Sequence, residues 1–249
     1  MARPIDKLPS NVPDAVARQR TYYEATADSY DRAHVEREHV LALHLLAGYI
    51  ELAGVKSVLD VGAGTGRAMR FLKARFPDLV IKGVEPVEGL RSRGHAQGIP
   101  PEDLIDGEGA NLPFPDRSFD LVCEFAVLHH VGRPETVVSE MSRVATKILA
   151  ISDCNFMGQG PVWLRQIKRG IWSARLWPVA DMIKTHGKGY TYSEGDGVAY
   201  SYSVFQNLPQ IRATWSDINV IATSPNRGRH AGPLTGAAHV LLIAQSRNW

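Results

Sequence analysis

Apolar positions along the chain follow two periods, and the switch between them sets out its organisation. From Pro13 to about Ala53 the spacing is helical, with Tyr22, Tyr23 and Tyr30 and then Leu41, Leu45, Leu46 and Ile50 as anchors. After Gly54 the pattern shortens to runs that predict strands at 57–61, 79–84, 103–106, 119–123 and 147–152. Helical stretches separate them: 67–76, stopped by Pro77, then 87–96 and 134–145. Such alternation implies a parallel sheet covered on both faces. Residues 155–210 break the rhythm and are rich in Trp, Tyr, Gly and basic side chains. Two further β-rich runs, 218–222 and 239–244, flank a Gly/Pro-rich connector and read as a hairpin completing the sheet. The expected architecture is α/β: a doubly wound, mostly parallel seven-stranded sheet with a C-terminal antiparallel hairpin. One domain is expected, made of a helical flap (1–53), a core (54–154), a cap (155–210) and the hairpin (211–249).

Composition narrows the class. The 249 residues carry 28 Lys+Arg and 26 Asp+Glu, a net charge of +2, so no global field draws the protein to nucleic acid. Cys123 and Cys154 lie in apolar stretches without metal or disulfide spacing and read as buried thiols in a reducing cytoplasm. Residues 1–7 lack the apolar run of a secretory signal. The best membrane-span candidate, 40–55, is broken by His44 and Glu51 and reads as an amphipathic helix.

The segment Asp60-Val61-Gly62-Ala63-Gly64-Thr65-Gly66 puts three glycines between a strand and a helix, where the backbone turns sharply and approaches a ligand closely. Its spacing is G-x-G-x-G, not the G-x-G-x-x-G of a dinucleotide site. Glu85 ends the next strand, and a carboxylate there accepts both hydroxyls of a ribose. Loop and acid together point to a nucleoside-bearing ligand without naming it.

Further segments narrow that ligand: Gly83-Val84-Glu85-Pro86, GEGANLPFPD at 107–116, Ser118-Phe119-Asp120-Leu121-Val122 and Leu128-His129-His130-Val131. With the glycine loop, their order and spacing resemble the class I S-adenosylmethionine-dependent methyltransferases, in particular the small-molecule group with its ubiquinone, menaquinone and sugar enzymes. The resemblance runs from about Tyr22 to Asn155. It implies a Rossmann-like fold, S-adenosylmethionine as cofactor and a small-molecule acceptor. Asp60, Gly62, Ala63, Gly64 and Gly66 are then implied to hold the methionine part and ribose, Glu85 the ribose diol and Glu108 the adenine amino group. Tyr22 and Tyr30 are implied to fold over the cofactor, and Pro86, Gly109, Ala110 and Phe125 complete the implied set. Two departures stand out: Glu108-Gly109 where the family usually has Asp-Ala, and Ala145-Thr146-Lys147 where it commonly has Pro-Gly-Gly.

An activated sulfonium methyl leaves the protein mainly to align a nucleophile and exclude water, worth on the order of 7–11 kcal/mol. A general base adds roughly 10²–10⁴-fold where an alcohol or phenol must lose its proton. His129 and His130 follow the fourth strand on the cleft side and are the base candidates, one expected in the cleft and the other in packing. Asp153, at the carboxyl end of the fifth strand, is expected to orient the histidine or the acceptor hydroxyl. All three also have plain structural readings as caps or turn residues. Oxygen methylation leads; the alternatives are C-methylation of a quinone precursor at a membrane surface and a non-catalytic cofactor-binding module. The glycine spacing disfavours an NAD-linked oxidoreductase. Glu124-Phe125-Ala126-Val127 lacks the Asn/Asp-Pro-Pro-aromatic tetrad of nucleic-acid base methylation, and no carboxylate or His/Cys grouping has metal-site spacing, so neither nucleic acid nor a metal is expected.

Within 160–189, six Lys and Arg face one acid, Asp181, which suits an anionic partner. Trp163, Ile167, Ile171 and Ala174 form one helical stripe, with Arg165, Lys168, Arg169 and Arg175 largely off it. The leading expectation is a lid helix with that stripe packed on the sheet and a solvated basic face. Recognition of a phosphate-bearing substrate and contact with an anionic membrane are the sharper readings.

Overall fold

The computed structural model describes residues 12–28, 30–33, 37–225 and 232–246. Residues 1–7, on which the expectation of no secretory signal rests, lie outside them. Three helices lead in, α1 (Val12–Thr26), α2 (Tyr30–Ala33) and α3 (Arg37–Leu52), followed by β1 (Ser57–Val61), α4 (Arg67–Arg75), β2 (Val80–Val84), α5 (Glu88–Ala96), β3 (Leu104–Ile105), β4 (Phe119–Phe125), α6 (Pro134–Val144) and β5 (Ala145–Cys154). The cap holds α7 (Val162–Ser173), α8 (Trp177–Lys184), β6 (Thr191–Ser193), β7 (Gly197–Ala199) and α9 (Leu208–Thr214). Then come β8 (Asp217–Ala222), α10 (Pro233–Gly236) and β9 (His239–Gln245).

Seven strands form one sheet in the order β3-β2-β1-β4-β5-β9-β8, parallel from β3 to β5 and antiparallel where β9 and β8 join. Period-two alternation sorts the strand residues between the two faces. Leu59, Val122, Leu149 and Ile151 pack toward α6 and α9, whereas Val58, Leu121, Cys123 and Ile148 pack toward α3 and α4. Both cysteines are buried free thiols. The order reverses between β1 and β4, so their carboxyl ends open a crevice at the topological switch point, where ligands bind in open sheets of this kind.

The cap departs from the expected stripe. α7 is turned over: Trp163 is 65% exposed, Ile167 and Ala174 are exposed with it, and Arg165 is only 4% exposed. The reason lies in the carbonyls beneath. Arg165 donates to Gly160 O (2.9 Å) and Thr235 O (3.2 Å), and Lys168 to Phe156 O (2.7 Å) and Gln159 O (3.1 Å). These carbonyls sit in turns and at the ends of short helices, where backbone donors are few; Phe156 O accepts one more from Gln159 N–H (3.2 Å), and leaving a buried carbonyl without any donor costs about 1–3 kcal/mol. Two long cations reach them where no aliphatic side chain would help. The tract also holds a second short sheet, β6 with β7, whose tip is Glu194-Gly195-Asp196.

Candidate active site

β1 ends at Val61 and the chain turns over the glycines into α4. Gly62 has φ +70°, and a Cβ there would lie 2.5 Å from Val127 Cγ2, so no other residue fits the turn. Gly64, at φ +58°, lies beneath the Tyr30 ring and donates its N–H to Glu85 Oε2 (2.9 Å). Val87 N–H donates to the other Glu85 oxygen (2.9 Å), so the backbone fixes this carboxylate at the end of β2. Burial pushes Glu85 up to about 7 against those two bonds. Burial, with Glu85's charge added, also brings Asp60 to about 7. Two buried acids half ionised near neutrality favour a ligand that brings hydroxyl donors or positive charge. The pair and the tight loop fit a nucleoside carrying a cationic sulfonium.

A cavity of about 390 Å³ opens beside the loop, within the range of small-molecule sites. Asp60, Gly62, Ala63, Tyr30 and Phe125 line one wall. Both histidines line another, which corrects the expectation that one would turn into packing. They sit in a single tight turn at Leu128–His130 with ring centroids 3.9 Å apart, and each ring is held by its own acceptor. His129 Nδ1 lies 2.7 Å from Asp153 Oδ1, and His130 Nδ1 lies 2.5 Å from Val198 O. A carboxylate only accepts, so His129 Nδ1 carries a proton and its Nε2 turns toward the cleft, whereas His130 Nδ1 meets both Val198 O and the Gln19 amide nitrogen (3.2 Å). Asp153 Oδ2 meanwhile accepts the backbone N–H groups of Leu128 (2.7 Å) and His129 (3.2 Å), tying the turn to the end of β5.

Asp196, at the tip of the cap hairpin, meets both: Oδ2 is 3.7 Å from His129 Nε2 and Oδ1 is 3.5 Å from His130 Nε2. Burial alone would lower His129, but the Asp153 charge and hydrogen bond, helped by Asp196, hold it well above the ordinary imidazole value. Burial and the neighbouring His129 charge lower His130 to about 4. The two carboxylates therefore favour the protonated form of His129, while His130 favours its neutral form. Burial would raise Asp153, but the His129 charge and hydrogen bond hold it low. His129, His130 and Asp196 bring one ligand-type atom each within 4.8 Å of one another, and so do His129, Asp153 and Cys154.

The other residues of the implied set divide. Tyr22 turns away from the cavity to pack against Tyr23 and Gly197, and it is Tyr23 that lines the cavity. Pro86 and Glu108 line a second cleft, which shares no lining residue with the first, and Glu108 is paired with Arg20 of α1. Gly66 packs on Ile99 and Gly109 on Val61 and Val137, and with Ala110 they line neither cleft. Helix α1 spans both regions: Glu24 accepts Gly89 N–H (3.0 Å) while Gln19 bonds Val198 N–H and His130. Sequence reasoning missed Tyr23 and Asp196 as site residues. A lone acid between two glycines at 195–197 was the available signal for the second.

Residues 59–147 match the family described as Methyltransferase domain. A malonyl-[acyl-carrier protein] O-methyltransferase of Halorhodospira halophila is 29% identical over 181 residues, covering 71% of this chain and 58% of that protein. Hence the chain spans little more than half the length of this curated relative. A possible histamine N-methyltransferase of Thermotoga maritima, described as SAM-dependent, superposes with TM-score 0.60 at 19% identity over 91% of this chain and 99% of that one. The magnesium protoporphyrin IX methyltransferase of Synechocystis PCC 6803 with bound SAM gives TM-score 0.60 at 14% identity over 96% and 100% of the two chains.

Proposed function

Residues 59–147 match a methyltransferase domain and the chain shares the fold of S-adenosylmethionine-dependent methyltransferases; we propose that it binds that cofactor and transfers a methyl group to a hydroxyl oxygen of a small-molecule acceptor. The observation that carries the choice of oxygen is the buried His129–Asp153 pair, 2.7 Å apart, opening on the cavity beside the glycine loop. An alcohol must lose its proton as it attacks, and a buried, oriented imidazole opening on the cavity is placed to take it.

The cofactor supplies an electrophilic methyl on a positively charged sulfur. With the cofactor bound, Glu85, which lies behind the loop and lines neither cleft here, would receive the ribose hydroxyls, the glycine turn would let the backbone come close, and Tyr30 would cover the loop. Asp153, a positioning residue, keeps the His129 ring oriented with its Nε2 toward the cleft. The acceptor hydroxyl takes the place of Asp196 at that nitrogen. With one of its two carboxylates gone, the imidazole releases its proton more readily and then accepts the hydroxyl proton. His129 Nε2 would hold the acceptor oxygen, freed of its proton, toward the methyl group that the bound cofactor would supply. Arg67 and Lys184 in the cavity wall suit an acceptor bearing a phosphate or carboxylate. The reading places the reaction in the cytoplasm, where two buried free thiols stay reduced. Among the described residues no helix is long and apolar enough to cross a membrane.

Thermal unfolding with S-adenosylhomocysteine, S-adenosylmethionine and NAD in parallel tests the premise. A ligand at about 100 times its Kd adds roughly 2.7 kcal/mol, a rise of about 5–10 °C for a chain this size. The expected result is that rise with both sulfur ligands and its loss in Glu85→Ala. A shift with NAD alone overturns the reading. An acceptor screen with phosphorylated sugars and phenols then separates oxygen from other nucleophiles.

A further inference from the structure

Of the 15 large apolar side chains exposed among the described residues, eight lie between 162 and 183. Ile183 (72% exposed) and Val179 (60%) project from α8, and Trp163 and Ile167 project from α7. A monomeric soluble surface rarely gathers apolar side chains this way without a partner for them. The two helices share an aromatic base: Trp177 stacks on Phe156 at 4.4 Å between centroids, and Trp172 lies 5.8 Å from the same ring. Phe156 and Lys184 also line the catalytic cavity, so the apolar surface runs up to its mouth.

Charge decides what covers it. Arg169, Arg175 and Lys188 stand exposed around the apolar side chains, and the only acid from 160 to 189, Asp181, is taken up by the Ser201 hydroxyl. A second copy of this chain would bring cations against cations. A bilayer with anionic headgroups matches every part: lysines and arginines at the phosphates, Trp163 at the interfacial depth that indole rings favour, and aliphatic side chains just below. We propose that α7 and α8 dock the protein reversibly on an anionic lipid surface, with the cavity mouth facing the headgroups. The docking is independent of the methyl-transfer reading, since it needs only the outer faces of two helices.

Flotation of the full chain with vesicles tests it, comparing phosphatidylcholine alone with phosphatidylcholine containing about one quarter phosphatidylglycerol. The expected result is flotation with the anionic vesicles only and release at about 0.5 M salt, where the Debye length falls to a few ångströms. Arg169→Gln and Arg175→Gln should each weaken partitioning about fivefold. The pair Trp163→Ser with Ile183→Ser should abolish it while leaving the thermal shift by S-adenosylhomocysteine intact, which shows that the fold survives. Absence of flotation, equal flotation with neutral vesicles, or unchanged flotation in the double variant overturns the proposal. So does self-association in sedimentation that the double variant removes, because the surface then belongs to a second copy. A failed cofactor shift with intact flotation would overturn methyl transfer alone.

Discussion

The central sheet and the cap over it obey opposite burial rules. In the sheet, hydrophobicity decides: Val58 and Leu59 alternate between two apolar faces, each met by a helix with its own apolar stripe. In α7 a large aromatic side chain, Trp163, faces outward and a charged one, Arg165, faces inward. The difference is what lies underneath. Strands offer carbonyls already paired in the ladder, so what remains to be covered is hydrocarbon. The turns beneath α7 offer carbonyls without donors at Gly160, Thr235 and Gly236, and a guanidinium with five N–H groups satisfies them where leucine would not. Amphipathic spacing thus reports that a helix has two faces, and the hydrogen-bonding state of the surface below decides which goes in.

The largest test of the sheet side is chemical. His129→Ala should lower kcat by about 10²–10⁴-fold, the worth of a positioned base, while the thermal shift by S-adenosylhomocysteine persists because Glu85 and the glycine turn are untouched. Turnover within about twofold of the parent protein would remove the base assignment and return the histidine turn to structural duty.

The cap side is tested by stability. Arg165→Ala should destabilise the fold by about 1–3 kcal/mol, because it removes the donor from the buried Gly236 carbonyl and from those of Thr235 and Gly160 beside it. Trp163→Ala on the same helix should stay within about 0.5 kcal/mol in chemical denaturation, as an exposed position does. The opposite ranking, with tryptophan costing more than arginine, would mean that α7 lies as its stripe suggests and that the contrast between cap and sheet is false.

How much of this was legible follows the same division. The positions of the strands along the chain, the turn at Gly62 and the place of Glu85 were readable because runs of apolar residues, a steric demand for glycine and the end of a strand are local signals; the order of the strands in the sheet was not. The fifth strand was read at 147–152 and runs from Ala145 to Cys154, since the residues where family and chain differ, Ala145-Thr146-Lys147, extend the ladder instead of turning. The choice of Tyr23 over Tyr22 was not legible, because it depends on the azimuth of α1 against the cap hairpin, which is set by Gln19 bonding Val198 and His130. Asp196 was invisible for a related reason: its meaning comes from two histidines some 66 residues away in sequence, 196 − 130 = 66. The shared direction of His129 and His130 likewise rests on two separate acceptors, Asp153 and Val198, that no local pattern links.

A smaller effect sharpens the sheet side further. Glu85 has its pKa raised to about 7, so its ionised, diol-accepting form is complete above that value and is lost as the pH falls through it. If cofactor binding needs that form, S-adenosylhomocysteine affinity should drop about fivefold from pH 7 to pH 6. Isothermal titration at the two values checks this, and in Glu85→Gln the drop should shrink to whatever Asp60 alone contributes.

The smallest effect joins the two regions, because Asp196 is the one cap residue whose charge reaches the histidine of the sheet. Its carboxylate helps hold the proton on His129, whose pKa is raised, so the unprotonated base appears only as the pH rises through that value. Turnover should therefore climb with pH, and Asp196→Asn, which keeps the shape and deletes the charge, should move the rising limb to lower pH. The side chain is 44% exposed and Asp153 supplies the stronger interaction, so the displacement should be modest, about half a pH unit in kcat/KM. In kcat the displacement should be smaller still, since an acceptor bound at Nε2 has already moved Asp196 aside. Equal displacement in both profiles would mean that the carboxylate stays on the imidazole throughout the reaction, and the hydroxyl would then have to reach His129 by a route that leaves the hairpin closed.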